Sequence, residues 1–358
     1  MTTIADDQHS GALLPGIAAR SVRTSRLTSN VLYRSEVAPG PVPVVFVHGN
    51  VSSALFWQPL MLSLPDEINA FAIDLRGFGD SETAPVDATR GLSDFSDDVA
   101  QVVSALGLVN PHLVGWSMGG GVVMQYAIDR PVGSLTLISP VSPYGFGGTA
   151  LDGSLLTADG AGTGGGGANP DFVARLEAGD RGADSPTSPR NVYLGAYVKP
   201  GFASPFDEIW VTSMLSTKTG AGNYPGDSVT SENWPGFAAG GRGVLNTMAP
   251  THIDLTGIVE IDPKPSILWI HGAEDVIVSD TSLFDLNYLG QLGVVPGWPG
   301  ADVAPAQPMI GQTRAVFERY AAAGGSYQEL TVADCGHSAH LEHPDLVRSA
   351  LLDQLSET

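Results

Sequence analysis

Cys335 is the only cysteine among 358 residues, so no internal disulfide can form and nothing in the chain calls for an oxidising compartment. Basic residues are scarce too: 17 Lys and Arg stand against 38 Asp and Glu, a formal net charge of -21. A surface of that sign repels phosphate backbones and anionic headgroups, so neither nucleic acid nor membrane is an expected partner; a small molecule is. No apolar run reaches the length of a membrane span. The first thirty residues lack both the basic start and the continuous apolar stretch of a secretory signal, and a cytoplasmic location is the expectation. No His, Cys and carboxylate cluster has metal-ligand spacing, and no GxxxxGK(S/T) phosphate loop occurs, so neither a metal nor another cofactor is expected. Nothing in the sequence signals an oligomeric state.

What is present is a globular composition, 43% hydrophobic and 15% charged, with enough apolar material to offset the entropy of ordering the chain. Strand-like and helix-like segments alternate through the first part. Short strands are read at 21–28 and 30–37, a buried run at 44–47, a helix near 57–64, and a strand at 68–73. Apolar residues at helical spacing (Phe95, Val99, Val102, Val103, Leu106) mark a helix over 92–106, with Asp94, Asp97 and Asp98 near its positive end. A strand at 112–114, a helix ending before Pro131 and a strand at 135–138 follow. From Ser142 to about Pro263 the alternation breaks down. That stretch holds the low-complexity GAGTGGGGANP, which follows no strand and reads as flexible chain, together with Tyr193, Tyr197, Trp210 and Trp234. It resumes with strands at 266–270 and 327–332, a helix at 312–323 and a terminal helix from Pro344. The order predicts a mostly parallel, doubly wound α/β sheet with helices on both faces. The domain reading is a core over 1–141 and 264–358 with a cap, or lid, inserted at 142–263.

Chemistry centres on Gly115-Trp116-Ser117-Met118-Gly119, a GxSxG pentapeptide with a strand before it and a helix after it. A strained turn there lifts the serine hydroxyl off the sheet, and bulkier residues at the flanking glycines would collide with neighbouring elements. The helix that starts next offers the Met118 amide to developing negative charge. A serine needs an imidazole to take its proton. His337, in Asp334-Cys335-Gly336-His337 after the last strand, is the candidate base, with His340 and His343 as rivals. The imidazole in turn needs a carboxylate: Asp275, just beyond the strand at 266–270, is the candidate and Glu274 its rival. Trp116 adjoins the nucleophile and is expected to contact substrate. His48 and His271 each precede a glycine at a strand end and read as histidines satisfied by turn backbone, and Cys335 reads as packing.

The stretches VVFVHGNVSSALFW, FAIDLRGFGDS, HLVGWSMGGGVVMQYA, ILWIHGAEDVIV and DCGHSAHLEHP resemble the α/β-hydrolase superfamily over nearly the whole chain, the cap excepted. Within it, GWSMGGG is similar to the serine esterases and the cofactor-free haloperoxidases, also called perhydrolases. The resemblance implies Ser117, Asp275 and His337 as a triad, and an oxyanion hole from the Met118 amide with that of Asn50 or Val51. Haloalkane dehalogenases and epoxide hydrolases carry aspartate where Ser117 stands. The expected activity is hydrolysis of an ester or lactone of a medium-sized, mainly apolar molecule through an acyl-enzyme. The same triad could serve perhydrolysis, carbon-carbon bond hydrolysis or an aminopeptidase reaction; acids at Asp152, Asp171, Glu177, Asp207 and Glu208 would suit a substrate amine, though a solvated surface explains them more simply. A non-catalytic binding protein is the remaining reading.

Overall fold

The computed structural model describes residues 12–37 and 40–357; the first eleven residues of the polar leader and positions 38 and 39 lie outside the described residues. Strands β1 (Ile17–Arg23), β2 (Thr28–Arg34), β3 (Val42–Val47), β4 (Ile68–Ile73), β5 (His112–Trp116) and β6 (Ser134–Ile138) come first. A small ribbon, β7 (Ser228–Thr230) with β8 (Phe237–Ala239), precedes β9 (Ser266–Gly272) and β10 (Tyr327–Val332). Eight of these strands make one sheet in the order β1-β2-β4-β3-β5-β6-β9-β10. Only β1 with β2 and β2 with β4 pair antiparallel; the remaining pairs are parallel.

Helices α1 (Gln58–Ser63), α2 (Ser93–Ala105) and α3 (Met118–Asp129) fill the early crossovers. Between β6 and β9 lie α4 (Pro170–Glu177), α5 (Pro189–Val192) and α6 (Asp207–Leu215). After β9 come α7 (Leu286–Gln291) and α8 (Met309–Ala322), and after β10 come α9 (Ala339–Glu342) and α10 (Pro344–Ser356). All five residues of β6 are buried, as are the last four of β3 and of β5. Successive side chains point to opposite faces of a strand, so continuous burial means that both faces are covered, as the doubly wound reading requires.

Two expectations need correction. β1 and β2 both start earlier than the spacing predicts, because Thr24 closes a turn through its backbone and hydroxyl, each donating to the Leu27 carbonyl at 3.0 and 2.8 Å. The glycine run expected to be flexible is a 3-10 turn, Gly164–Gly167. The Gly165 N–H donates to Asn246 Oδ1 at 2.8 Å, and a side chain there would meet the backbone of Gly226 and Asp227. The segment between β6 and β9 also shares the sheet's hydrophobic core, through Phe172, Tyr193, Trp210 and Met214.

Packing is tight around the turn from β5 to α3. A Cβ on Gly115 would collide with the Gly119 carbonyl, and one on Gly119 with the carbonyls of Val47 and His48. None of these backbone atoms can swing aside as a side-chain tip can. Gly119→Ala is therefore expected to destabilise the protein by about 1–3 kcal/mol in a urea titration, although alanine is the better helix former.

Candidate active site

The parallel register aligns Val47 with Gly115, Trp116 with Ile138, Ile138 with Ile270, and Gly272 with Val332. The chain therefore leaves β3, β5, β9 and β10 at one edge of the sheet, which is where such sheets gather their ligands. Ser117 occupies the β5–α3 turn with φ 58 and ψ -123, a conformation that L residues rarely adopt. It is held from both sides. Its N–H donates to the Ile138 carbonyl at 2.9 Å, and its carbonyl accepts from Gly120 and Val141 at 3.0 and 3.1 Å.

From the loop after β10, His337 Nδ1 meets Asp275 Oδ2 at 2.8 Å. Asp275 Oδ1 accepts from the N–H groups of Ile277 and Val278 at 2.7 and 3.0 Å, so the carboxylate cannot turn away. With Nδ1–H committed to Asp275, Nε2 is the nitrogen left with a free lone pair. Ser117 and His337 both line a cavity of about 390 Å³. Among the described residues Ser117 Oγ has no hydrogen-bond partner, and such contacts commonly tighten only when substrate binds. Asn50 and Val51 line the same cavity, and among the described residues no acceptor takes the N–H of Asn50, Val51 or Met118.

The rival residues are engaged elsewhere. Glu274 is exposed and pairs with Lys199 at 2.8 Å. His343 Nε2 bonds the Asp334 carbonyl at 3.1 Å. His271 is satisfied not by turn backbone, as expected, but by side chains of β10, Glu329 at 2.9 Å and Thr331 at 3.1 Å. His48 Nδ1–H donates to the Gly49 carbonyl at 2.7 Å and Nε2 accepts from Leu75 at 3.0 Å; burial lowers its pKa to about 4, which keeps it neutral. Burial also pushes the Cys335 thiol up, which makes it inert packing. None of the acids expected to favour an amine lines the cavity: Asp171 pairs with Arg175, Glu208 with Arg190, and Asp207 with the Tyr193 hydroxyl.

Trp116 does not do what its position leads one to expect. It is fully buried and absent from the cavity wall, with its ring stacked on Phe56 at 5.1 Å and its Nε1–H donating to the His337 carbonyl at 2.9 Å. It steadies the histidine loop instead of touching the cavity. The sequence reading also missed part of the wall. Phe172, Tyr197, Tyr224 and Met248 come from the segment after β6, but Ile277, Phe284 and Leu289 line the cavity from the stretch following Asp275. The available signal was an apolar cluster there, part of it on the short helix α7. Among the described residues no Lys or Arg lines the cavity, and the one carboxylate there, Asp285, is taken up by the N–H groups of Asn287 and Gln307 at 3.0 and 2.8 Å.

Comparison with known proteins agrees with this architecture. Residues 44–350 match the alpha/beta hydrolase family. The chain belongs to that family. Over 108 residues it is 37% identical to the dihydrolipoyllysine-residue acetyltransferase component of the acetoin cleaving system of Cupriavidus necator, covering 30% of this chain and 28% of that one. Over 113 residues it is 34% identical to the 2-(acetamidomethylene)succinate hydrolase of Mesorhizobium japonicum, covering 32% of this chain and 38% of the relative. The match thus spans well under half of either relative's length. The crystal structure of carboxylesterase CesB from Bacillus subtilis superposes with a TM-score of 0.57 at 17% identity, over 98% of this chain and 96% of that one, a likeness of fold.

His340, the other rival base, is buried between Trp57 and Trp116, with ring centroids 4.5 and 4.9 Å away and neither nitrogen partnered among the described residues. Burial, reinforced by His337, lowers its pKa from 6.5 to about 3. Between those pH values the unfolded chain takes up the proton and the folded protein does not, so His340 contributes stability above about pH 6.5 that is lost as pH falls. His340→Phe is expected to stabilise the protein by about 2 kcal/mol more at pH 5 than at pH 8, read from urea titrations at the two pH values.

Proposed function

We propose that the protein is a serine hydrolase that cleaves an ester or lactone of an uncharged, mainly apolar small molecule through an acyl-enzyme. The observation that carries this reading is that His337, locked onto buried Asp275 at 2.8 Å, shares an apolar cavity with Ser117. Ser117 Oγ attacks the carbonyl while His337 Nε2 takes its proton, and Asp275 stabilises the imidazolium that forms. The charge on the carbonyl oxygen is received by the Met118 N–H at the start of α3 and by the N–H of Asn50 or Val51. His337 then protonates the leaving alcohol. Water, deprotonated by the same nitrogen, releases the acid and restores Ser117.

In this reading the segment 142–263 acts as a cap over the site, with the stretch after Asp275 as the opposite wall. A carboxylate or phosphate on the substrate would lose its hydration in a cavity that offers no Lys or Arg in return. The succinate named for the Mesorhizobium relative therefore does not carry over. Nor does an aminopeptidase reaction gain support, since Asp285 already accepts from two backbone N–H groups.

Two outcomes are expected. Ser117→Ala should lower kcat/KM for p-nitrophenyl butyrate by about 10,000-fold, and a fluorophosphonate should label Ser117 in the wild type; a variant as active as wild type would sink the proposal. Replacing the butyrate by the half-ester of succinate should cost about 100-fold in kcat/KM, and equal turnover of the two would show that the cavity tolerates a carboxylate.

A further inference from the structure

Asn50 and Val51, the two residues able to complete the oxyanion site, belong to successive peptide units whose carbonyls are held by different parts of the molecule. The Gly49 carbonyl accepts from Ser52 Oγ at 2.8 Å and from His48 Nδ1 at 2.7 Å, both within the loop after β3. The Asn50 carbonyl accepts instead from the Tyr197 hydroxyl at 2.8 Å, a donor 147 residues away in the segment between β6 and β9. A trans peptide is planar, with its C=O and N–H pointing in opposite directions. Holding the Asn50 carbonyl therefore fixes the direction of the Val51 N–H, for which no acceptor exists among the described residues.

Val51 also needs holding. Its φ of 45 lies in the left-handed region, which a β-branched residue avoids. Tyr197 is placed to hold it. Its ring lies 5.7 Å from that of Trp116 and 6.2 Å from that of His337, and it lines the cavity. Two residues further on, the Lys199 N–H donates to Glu342 Oε2 at 2.9 Å, and Lys199 Nζ bridges Glu274 and Asp334. Glu342 in turn accepts from the Gly336 N–H at 3.1 Å. One short stretch, 197–199, thus ties together the loops that carry Asn50, Asp275 and His337.

We propose that Tyr197 is a positioning residue that aims the Val51 N–H at the oxygen of the scissile carbonyl, so that the inserted segment completes the oxyanion site. This rests on the serine-hydrolase reading above. The hydroxyl acts through the peptide and contacts no reacting atom, and its effect is felt when charge develops on the carbonyl oxygen. Losing it therefore weakens binding of the tetrahedral state and leaves substrate binding intact.

Tyr197→Phe tests this, because it keeps every ring contact and removes one oxygen. A melting curve checks that the variant is folded. With p-nitrophenyl butyrate, kcat is expected to fall about 10- to 100-fold while KM stays within about 2-fold. Affinity for an alkyl boronic acid, which forms a tetrahedral adduct on the serine, should fall by the same factor as kcat/KM. A kcat within about 2-fold of wild type overturns the role of Tyr197, as does a rise in KM at constant kcat or a fall in kcat with boronate affinity unchanged. Each of these outcomes leaves an active serine hydrolase. A wild type without esterase activity, or a Ser117→Ala variant as active as wild type, brings down both readings.

Discussion

Everything at the site depends on three backbones meeting without side chains between them. Gly115 at the end of β5 lies against the first turn of α3, and Gly119 in that turn lies against the carbonyls of Val47 and His48 at the end of β3. Only this closeness lets the chain reverse from strand to helix within one residue, and Ser117 absorbs the reversal at φ 58. The strain is sustained because the Ser117 N–H donates to Ile138 at the end of β6 and its carbonyl accepts from Val141 in the loop that follows. The same contact brings the β3 loop, with Asn50 and Val51, alongside Ser117: a Cβ on Gly49 would approach Ser117 Cβ to 2.8 Å. Proposed nucleophile and proposed oxyanion amides are thus parts of one packing arrangement.

The segment between β6 and β9 is fastened at its inner edge. Phe172, Tyr193 and Trp210 are buried in the same core as the sheet, and Lys199 bonds to residues of both loops that carry Asp275 and His337. The bonds from Lys199 Nζ to Glu274 and Asp334 are exposed ion pairs and contribute little stability singly. Their geometric effect is larger, because each is anchored on a loop whose backbone is already fixed. On the proposed reading, a cap that opened as a rigid unit would have to break them together. Leu283 and Phe284, which line the cavity, are 45% and 44% exposed.

The core and the candidate site residues were legible because they are written in local patterns. β4 and β10 match the ranges read from apolar spacing, and the GxSxG turn, Asp275 and His337 each sit just past a strand. Parallel register then does the rest, since strands that end level must deliver their following residues to one edge. Trp116 was misjudged because adjacency in sequence to Ser117 says nothing about side: successive residues at a strand end point to opposite faces, and Trp116 points into the core. The glycine run misled for a related reason. Glycine reads as freedom, yet Gly165 is needed because other backbone occupies the place of its side chain. The wall formed by 277–289 was illegible since it joins an irregular loop to the short helix α7, and its residues meet the cavity only through tertiary placement.

Charge bears on selectivity at two ranges. The net charge of -21 repels an approaching anion, but that repulsion is screened beyond about 8 Å at physiological ionic strength, so it slows encounter without deciding it. Inside the cavity screening fails and desolvation takes over. There an anion finds mainly aliphatic and aromatic walls, no Lys or Arg among the described residues, and the Asp285 carboxyl, whose pKa burial raises. A cation gains little either, because the Asp285 oxygens already serve the N–H groups of Asn287 and Gln307. On the proposed reading, uncharged substrates escape both penalties, and for them the walls contribute favourable burial of apolar surface. Selection for neutrality would then come from the cavity itself and persist in high salt, where the long-range field has vanished.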